Sequence, residues 1–473
     1  MSADREHFSS KLGFILAAAG SAVGIGNLVG FPVAAAKNGG GAFLFIYAFF
    51  VVVICLPVMM AEMAVGRKTA KDPLGAYAKL SDNDNKWKIA GWIGVVTPFM
   101  IGVFYLVITI WIFGYLFGAV TGDLDLLANP DTFGQFVQSN SLFAYMVIVV
   151  LITGAILMSG VKEGIERAAK VLMPALFLLL VLLVVYVLTL DNAGAGVSYY
   201  VLPDFSKIDA SVVSGALSQA FFSLSLGMGI LVTYGSYMSK KQDIADSSKL
   251  VALADTGVAF IAGLLIMPAI FSFDPNVNTE ELTDSTVSLI FVLLPKIFLS
   301  LQTDIGYIGA SAVASLFFLL VFFAAITSLV SIVEVPNAAI MGEKNMERKK
   351  SLTVLAAMTV LLAVFASMSF GMSDFFTKFV TYAGADKSLF DVIFDVFYDT
   401  ILPLNGLLIC LFVVHRWKKH NFHEELRQGA EEGKHGLLFK YCDFALTTFI
   451  PVILAIIFIN TVAMKFFGYN LLF

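Results

Sequence analysis

The sequence predicts an all-α polytopic membrane protein with about eleven transmembrane helices, and three observations carry that prediction. The 473 residues are 59% hydrophobic and only 14% charged, a balance typical of helical membrane proteins. Apolar runs long enough to cross a hydrocarbon layer of about 30 Å recur along the whole chain. The first of these runs is interrupted by Gly20-Ser21-Ala22-Val23-Gly24-Ile25-Gly26-Asn27. Each glycine there costs a helix about 1 kcal/mol relative to alanine. In hydrocarbon, unwound backbone survives only where its N–H and C=O groups are buried in protein or line a cavity. The stretch therefore reads as a broken helix whose freed backbone groups hold small polar species at mid-membrane. Gly20 and Gly24 also fit the small-xxx-small spacing of close helix packing, so from this stretch alone both readings stand.

In chain order the spans fall at about 12–36, 42–66, 88–120, 142–160, 167–190, 210–237, 247–271, 306–341, 351–369, 388–416 and 438–469. The polar start, Met1 to Lys11, precedes an apolar run too long for a signal peptide. With the N-terminus inside, 24 of the 30 basic residues fall on the inner side, and Lys37, Lys207, Lys296, Lys378, Lys387 and Lys465 on the outer. The positive-inside bias then places the chain in the cell (inner) membrane, multi-pass, with a cytoplasmic N-terminus and an outside C-terminus. Ser272 to Thr303 is expected to fold as a re-entrant or capping hairpin. Cys55, Cys410 and Cys442 are isolated and point to neither a disulfide framework nor a metal site. No soluble domain, nucleic-acid partner or nucleophile–base pair is expected.

The sixth span is interrupted as well. Gln219-Ala220-Phe221-Phe222-Ser223-Leu224-Ser225-Leu226-Gly227-Met228-Gly229 mixes serines and glycines into an apolar run. One such break is explained by a kink with a serine hydroxyl bonded back to the preceding turn. Two breaks, five spans apart, point to inverted repeats (12–190 and 210–416) with the site between them and 438–469 as one further helix, all in a single transmembrane domain. Asp255 lies within the apolar stretch Leu250 to Met267 with no Lys or Arg one helical turn away. A carboxylate there costs about 2.5–3.5 kcal/mol on insertion scales and is read as functional.

Several of these stretches together resemble a known family. Gly20 to Asn27 with Phe31-Pro32, Asn38-Gly39-Gly40-Gly41-Ala42-Phe43, Gly164-Ile165-Glu166-Arg167, Phe221 to Gly227 and Phe323-Ala324-Ala325-Ile326-Thr327-Ser328 are similar to the neurotransmitter:sodium symporters, in their bacterial LeuT-like branch of amino-acid transporters. The similarity covers nearly the whole chain. It implies a LeuT-like fold and a sodium-coupled secondary symporter, not an enzyme, that imports an amino acid by alternating access. A sodium-gated conductance and a sodium-dependent amino-acid sensor are the rival readings. A channel favours continuous polar linings or charged rings, which this chain lacks, and a sensor would lack sodium ligands.

By that resemblance two sodium ions are expected. One takes the carbonyls of Gly20, Val23 and Ala324 with the hydroxyls of Thr327 and Ser328. The other takes the Ala22 carbonyl, the Asn27 amide oxygen, Ser223 and Asp255, where the family usually has a neutral asparagine. Oxygen ligands of this kind suit a hard cation. Chloride-dependent relatives balance the sodium charge with a bound anion; here Asp255 is the fixed anion, so no chloride requirement is expected. Tyr47 and Gln219 match other positions of the family's chloride site. The substrate site implied comprises Ser21, Ala22, Gly24, Ile25, Gly26 and Ser223 around the breaks, and Tyr105, which resembles the family tyrosine that donates to the substrate carboxylate. Ile101, Phe222, Ser225, Met228, Ser328 and Ile332 form a mostly apolar lining that suits a hydrophobic or aromatic side chain. The family's monoamine carriers hold an acid at position 24, so Gly24 favours a substrate with its own carboxylate.

Two departures from the family pattern concern the gates. The outer-gate arginine is replaced by Gly30; its partner position falls on Phe394, with Asp395 one residue on, leaving closure to Tyr105 and Phe222. Arg5 resembles the inner-gate cation, while the acid expected opposite aligns with Gly342, beside Glu343. Glu62 resembles a glutamate that caps the broken sixth helix, and Glu334 is expected to give similar support. Gly164 and Pro174 resemble a motif that unwinds the inner end of the fifth span, although Gly164 as a plain helix start reads equally well.

Overall fold

With no water inside an apolar bundle, backbone groups must pair along their own chain, so helices dominate. The computed structural model describes residues 6–277, 287 and 289–471. Among these, nine helices are long and apolar enough to cross a membrane, and the first span adds a pair, Lys11–Ala22 and Gly26–Lys37, bent by 55°. Ser10 starts it, its side chain accepting from the Gly13 N–H, and the helix stops at Val23 (φ −71°, ψ 96°). The sixth span is broken too. Ala210–Ser223, capped by Asp209, and Ile230–Ser236 are each too short to cross. Between them Ser225 (φ 54°), Gly227 (φ 76°) and Gly229 (φ 67°) turn through the left-handed region. Gly227 is required there, because a Cβ would meet the Leu402 carbonyl oxygen at 2.5 Å.

Long intact helices enclose the two breaks. Asn85–Thr121, the third span, runs along Gln302–Lys344, the eighth. The first span packs on the eighth and on Ile244–Phe273, the seventh, while Ile230–Ser236 packs on the second, Gly41–Thr69. Ser141–Met158, Val161–Val187, Arg348–Ser367, the tenth span Leu389–Arg427 and Phe449–Phe467 complete the bundle among the described residues. Leu151, Leu178, Leu253 and Val452 remain exposed on its outside, as side chains facing lipid tails would be.

Of four details that bear on the sequence-based expectation, the last span and the fifth-span motif differ from it, the eighth span starts where expected, and part of the Ser272–Thr303 segment lies outside the described residues. The last span is Phe449–Phe467; Gly436–Thr447 is a separate helix, divided from it at Thr448 (φ −109°, ψ −83°). The Gln302–Lys344 helix carries non-helical Gly306 (φ 72°), so its straight part starts after that residue. In the Ser272–Thr303 segment, residues 278–286 and 288 lie outside the described residues. The rest ends in a short helix, Leu294–Ser300, that buries Leu294, Pro295, Ile297 and Phe298, a capping element. Val161–Glu166 is wound as one wide turn continuous with Arg167–Val187, so the helix is not unwound at Gly164.

The backbone requirement at the sixth-span break predicts a contrast. Gly227→Ala pays roughly 1–2 kcal/mol for the left-handed conformation besides the clash with Leu402, and should lower the unfolding temperature in detergent by several degrees. Gly257→Ala, mid-helix with open space at its Cβ, should leave it unchanged or raise stability by up to about 1 kcal/mol.

Candidate functional site

The first-span break brings polar groups from four helices to one buried point. Asn27 donates through Nδ2 to Ser223 Oγ (2.9 Å) and Asp255 Oδ1 (2.7 Å), and its Oδ1 accepts from the Gly24 N–H (3.1 Å). Ser223 Oγ donates to Asp255 Oδ2 (2.9 Å), which also receives the Tyr47 hydroxyl (3.2 Å). All four residues are buried. Asp255 is thus held by three neutral donors, the form a buried carboxylate takes when it lacks a paired cation. Gln219 Nε2 donates to the Gly26 carbonyl (3.1 Å) beside this cluster.

A second group of oxygens lies where the first span meets the eighth. Ser328 Oγ lies 3.4, 3.1 and 3.4 Å from the carbonyl oxygens of Gly20, Ser21 and Val23. The neighbouring Thr327 donates its hydroxyl one turn back, to the Phe323 and Ala324 carbonyls at 3.0 Å each. The structure therefore gathers Gly20, Val23, Ala324, Thr327 and Ser328 at one helix crossing. Gly20 permits it, since a Cβ there would press on Met173 (3.2 Å) and Thr327 (3.4 Å).

Between the two clusters lies a small cavity of ≈ 20 Å³. Ser21, Ala22, Gly24 and Gly26 form its first-span wall; Ile101 and Tyr105 come from the third span, and Ser328 and Ile332 from the eighth. Phe222, Ser225 and Met228 close it from the sixth. Tyr105 holds its hydroxyl 3.4 Å from the Ile25 N–H. The remaining expected substrate residues do not line the cavity: Ser223 faces Asp255, and Ile25 takes part through its backbone. Asn27 lines it in addition. Two close approaches explain the glycines. A Cβ on Gly24 would lie 2.8 Å from both Ser328 Oγ and Tyr105 OH, and one on Gly26 would lie 2.7 Å from the Phe222 ring.

The sixth-span break is braced from outside the cavity. Glu62 Oε1 accepts from the Gly227 N–H (2.8 Å), and Asn405 Nδ2 donates to the Gly227 carbonyl (2.8 Å). Both freed groups of Gly227 are thereby paired, at a saving of about 1–3 kcal/mol for each group otherwise stranded.

At the end of the bundle that carries Glu6, the closing groups differ from the expected pair. Arg5 lies outside the described residues, and Glu343 is exposed. Arg348 instead makes a forked pair with buried Glu334 (2.8 and 2.7 Å) and reaches Glu6 (3.1 Å). Tyr237 and Asn337 also donate to Glu334 (2.7 and 3.0 Å). Phe8 is wedged between Phe14, Tyr234 and Tyr237, and Glu166 accepts from Ser9 and Ser10.

At the opposite end, Tyr398 packs at a tilt against Phe222 with ring centroids 4.2 Å apart. Phe394, the residue at the outer-gate partner position, stacks on Tyr398 at 4.4 Å. Asp395 is not left without a partner: it receives Tyr382 OH (2.7 Å) and Lys465 Nζ (2.9 Å). Sequence reasoning passed over Asn405, Tyr398 and Lys465. For Lys465 a signal was present, a lone cation in an apolar helix.

Buried oxygens at two helix breaks, around a cavity at their meeting point, define a secondary transporter for small polar solutes and hard cations. The comparisons agree. The family model described as the sodium:neurotransmitter symporter family matches residues 5–133 and 133–471. A sodium-dependent transporter of Bacillus subtilis is 34% identical over 466 residues, covering 97% of this chain and 98% of its own. One of Methanocaldococcus jannaschii is 32% identical, covering 99% and 92%. A human sodium- and chloride-dependent taurine transporter is 27% identical over 62% of this chain and 54% of its own. Among solved structures, that of MhsT in complex with L-phenylalanine superposes with a TM-score of 0.80 at 36% identity, covering 96% of this chain and 99% of the other. The chain belongs to the sodium:neurotransmitter symporter family. It is a multi-pass, sodium-coupled membrane transporter of LeuT-like fold, not an enzyme.

The crowding at Gly24 yields a prediction. Gly24→Ala should cut sodium-dependent uptake by more than tenfold, because its methyl group enters the space between Tyr105 and Ser328. Uptake into proteoliposomes, with unfolding temperature as the control for folding, checks it.

Proposed function

We propose that this protein imports an amino acid with a hydrophobic or aromatic side chain, coupled to two sodium ions, with the Glu6 end of the bundle in the cytoplasm. The observation that carries this reading is the meeting of Tyr105 OH and the Ile25 N–H 3.4 Å apart over the cavity. The Ile25 N–H donates to the Tyr105 hydroxyl oxygen, at the start of the half-helix that continues to Lys37, where the helix dipole favours an anion; both groups can turn a proton toward one. A substrate carboxylate would draw both, while the carbonyls near Ser21 and Ser225 suit an ammonium group. The remaining walls, Ile101, Phe222, Met228 and Ile332, are apolar. A cavity of ≈ 20 Å³ is too small for such a side chain, so Phe222 must swing off Gly26 to admit it. The bound L-phenylalanine of MhsT supports the substrate class.

The two oxygen clusters are the proposed ion sites. Gly20, Val23, Ala324, Thr327 and Ser328 form one; binding would turn the Thr327 hydroxyl from its own helix toward the ion. Ala22, Asn27, Ser223 and Asp255 form the other; a half-turn of the Asn27 amide would present its oxygen instead of Nδ2. At about 100 mV and a tenfold gradient, each sodium ion supplies roughly 3.7 kcal/mol. Two ions would sustain accumulation by several orders of magnitude.

We further infer independence from chloride. Two ions and a zwitterion bring two positive charges to a poorly hydrated site, and the Asp255 carboxylate receives hydrogen bonds from Tyr47 and Ser223, two groups that otherwise would serve an anion. After sodium leaves, this carboxylate stands alone, and protonation would ease the return step, so proton counter-transport is expected.

The test is uptake of labelled L-phenylalanine into proteoliposomes, with a competition panel of the common amino acids. Thr327→Ala combined with Ser328→Ala should abolish sodium-driven uptake in a folded protein; undiminished uptake would remove that site. Replacing chloride by gluconate should leave wild-type uptake unchanged. Asp255→Asn should weaken apparent sodium affinity at least tenfold and remove any stimulation by an alkaline interior. A chloride requirement in the wild type would refute the fixed-anion assignment.

A further inference from the structure

Lys465 sits in the last apolar helix, Phe449–Phe467, yet it does not extend freely toward solvent. Its ammonium lies 2.6 Å from Asp399 Oδ2 and 2.9 Å from Asp395 Oδ1, both on the tenth span. The second oxygen of Asp395 receives Tyr382 OH at 2.7 Å, and Lys387 Nζ stands 4.0 Å away. Tyr382 and Lys387 belong to a two-stranded hairpin, Val380–Tyr382 with Ala385–Lys387. Asp395 and Asp399 lie in one wide helical turn, Phe394–Thr400, and Tyr398 lies between them. Its ring rests on Phe222, whose own ring covers Gly26. The contacts therefore run unbroken from Lys465 through Asp399 and Tyr398 to Phe222 and the first-span break.

The charges explain why this chain needs its cation. Two carboxylates within one turn repel each other unless a cation sits between them, and breaking a desolvated pair by removing one partner leaves an uncompensated charge. At the family's gate position the first span offers none: it has Gly30, whose Cβ position meets only Gln219 Nε2 at 3.9 Å. A cleft of ≈ 320 Å³ reaches the Phe222–Tyr398 pair between the sixth, tenth and last helices, with Asp399 and Lys465 in its wall.

We propose that Lys465 is the cation of the outer closure. It draws Asp395 and Asp399 together, seats Tyr398 on Phe222, and so makes the last helix part of the gate over the cavity at Gly24. This rests on the transport reading above, in which this end faces outside.

The experiment uses the full-length protein with Cys55, Cys410 and Cys442 replaced by alanine and Ile101→Cys as a reporter in the cavity wall. A membrane-impermeant maleimide is applied to the outer side in sodium buffer without substrate. Adding Lys465→Gln should raise the labelling rate at least tenfold, Asp399→Asn should raise it too, and Lys465→Arg should return it to within about threefold of the parent. Labelling within twofold of the parent in both Lys465→Gln and Asp399→Asn would overturn the proposal. So would equal acceleration by Lys465→Arg, which would mark loss of packing instead of loss of charge. The readout needs no substrate, so a wrong substrate class shows separately, as absent sodium-dependent binding of L-phenylalanine to the parent.

Discussion

Backbone polar groups released inside an apolar bundle must be paired, and the structure depends on how two broken helices meet that demand. Each unpaired group costs about 1–3 kcal/mol, so a break persists only with dedicated partners. At Gly227 these are Glu62 and Asn405. At Gly24 the Asn27 side chain folds back onto the N–H, and Ser328 sits among three carbonyls of the first span. Asp255 anchors the Asn27 amide in turn. The same oxygens that stabilise the breaks are the ones a sodium ion would claim. Ion binding and helix geometry are therefore coupled through shared atoms.

That sharing suggests how transport is gated. The Tyr105 hydroxyl and the Phe222 ring both sit against glycine backbone, at Gly24 and Gly26. At one end of the bundle, aromatic packing of Phe222, Tyr398 and Phe394 forms the cover. At the other, the Arg348–Glu334 pair and the wedged Phe8 hold the start of the first span in place. At the family's gate positions Gly30 and Gly342 carry no charge, and Phe394 joins the aromatic cover; the Arg348–Glu334 ion pair stands at the Glu6 end.

Much of this was legible in the residues. Glycines at Gly20, Gly24 and Gly26 and a carboxylate at Asp255 are costly in an apolar segment, and cost marks function. The broken sixth span followed from the same reasoning, and the Glu62 brace from the resemblance to the family. What escaped was long-range pairing. Asp395 and Lys465 lie 70 residues apart in sequence, and no local periodicity links them. The hairpin at Val380–Lys387 turns on Ala383 (φ 49°) and Gly384 (φ 77°) without the Asn-Gly signal such turns favour. The last span was read too long because Gly436–Thr447 is apolar enough to merge with its neighbour, and only the backbone turn at Thr448 separates them.

The central claim is that the first-span break contributes to two sodium sites, one with Ser328 of the eighth span and the other with Ser223 of the sixth-span break and Asp255. The most direct measurement is the flux ratio of ²²Na⁺ to labelled L-phenylalanine into voltage-clamped proteoliposomes. The account predicts two sodium ions per amino acid in the wild type. A ratio of one would contradict it.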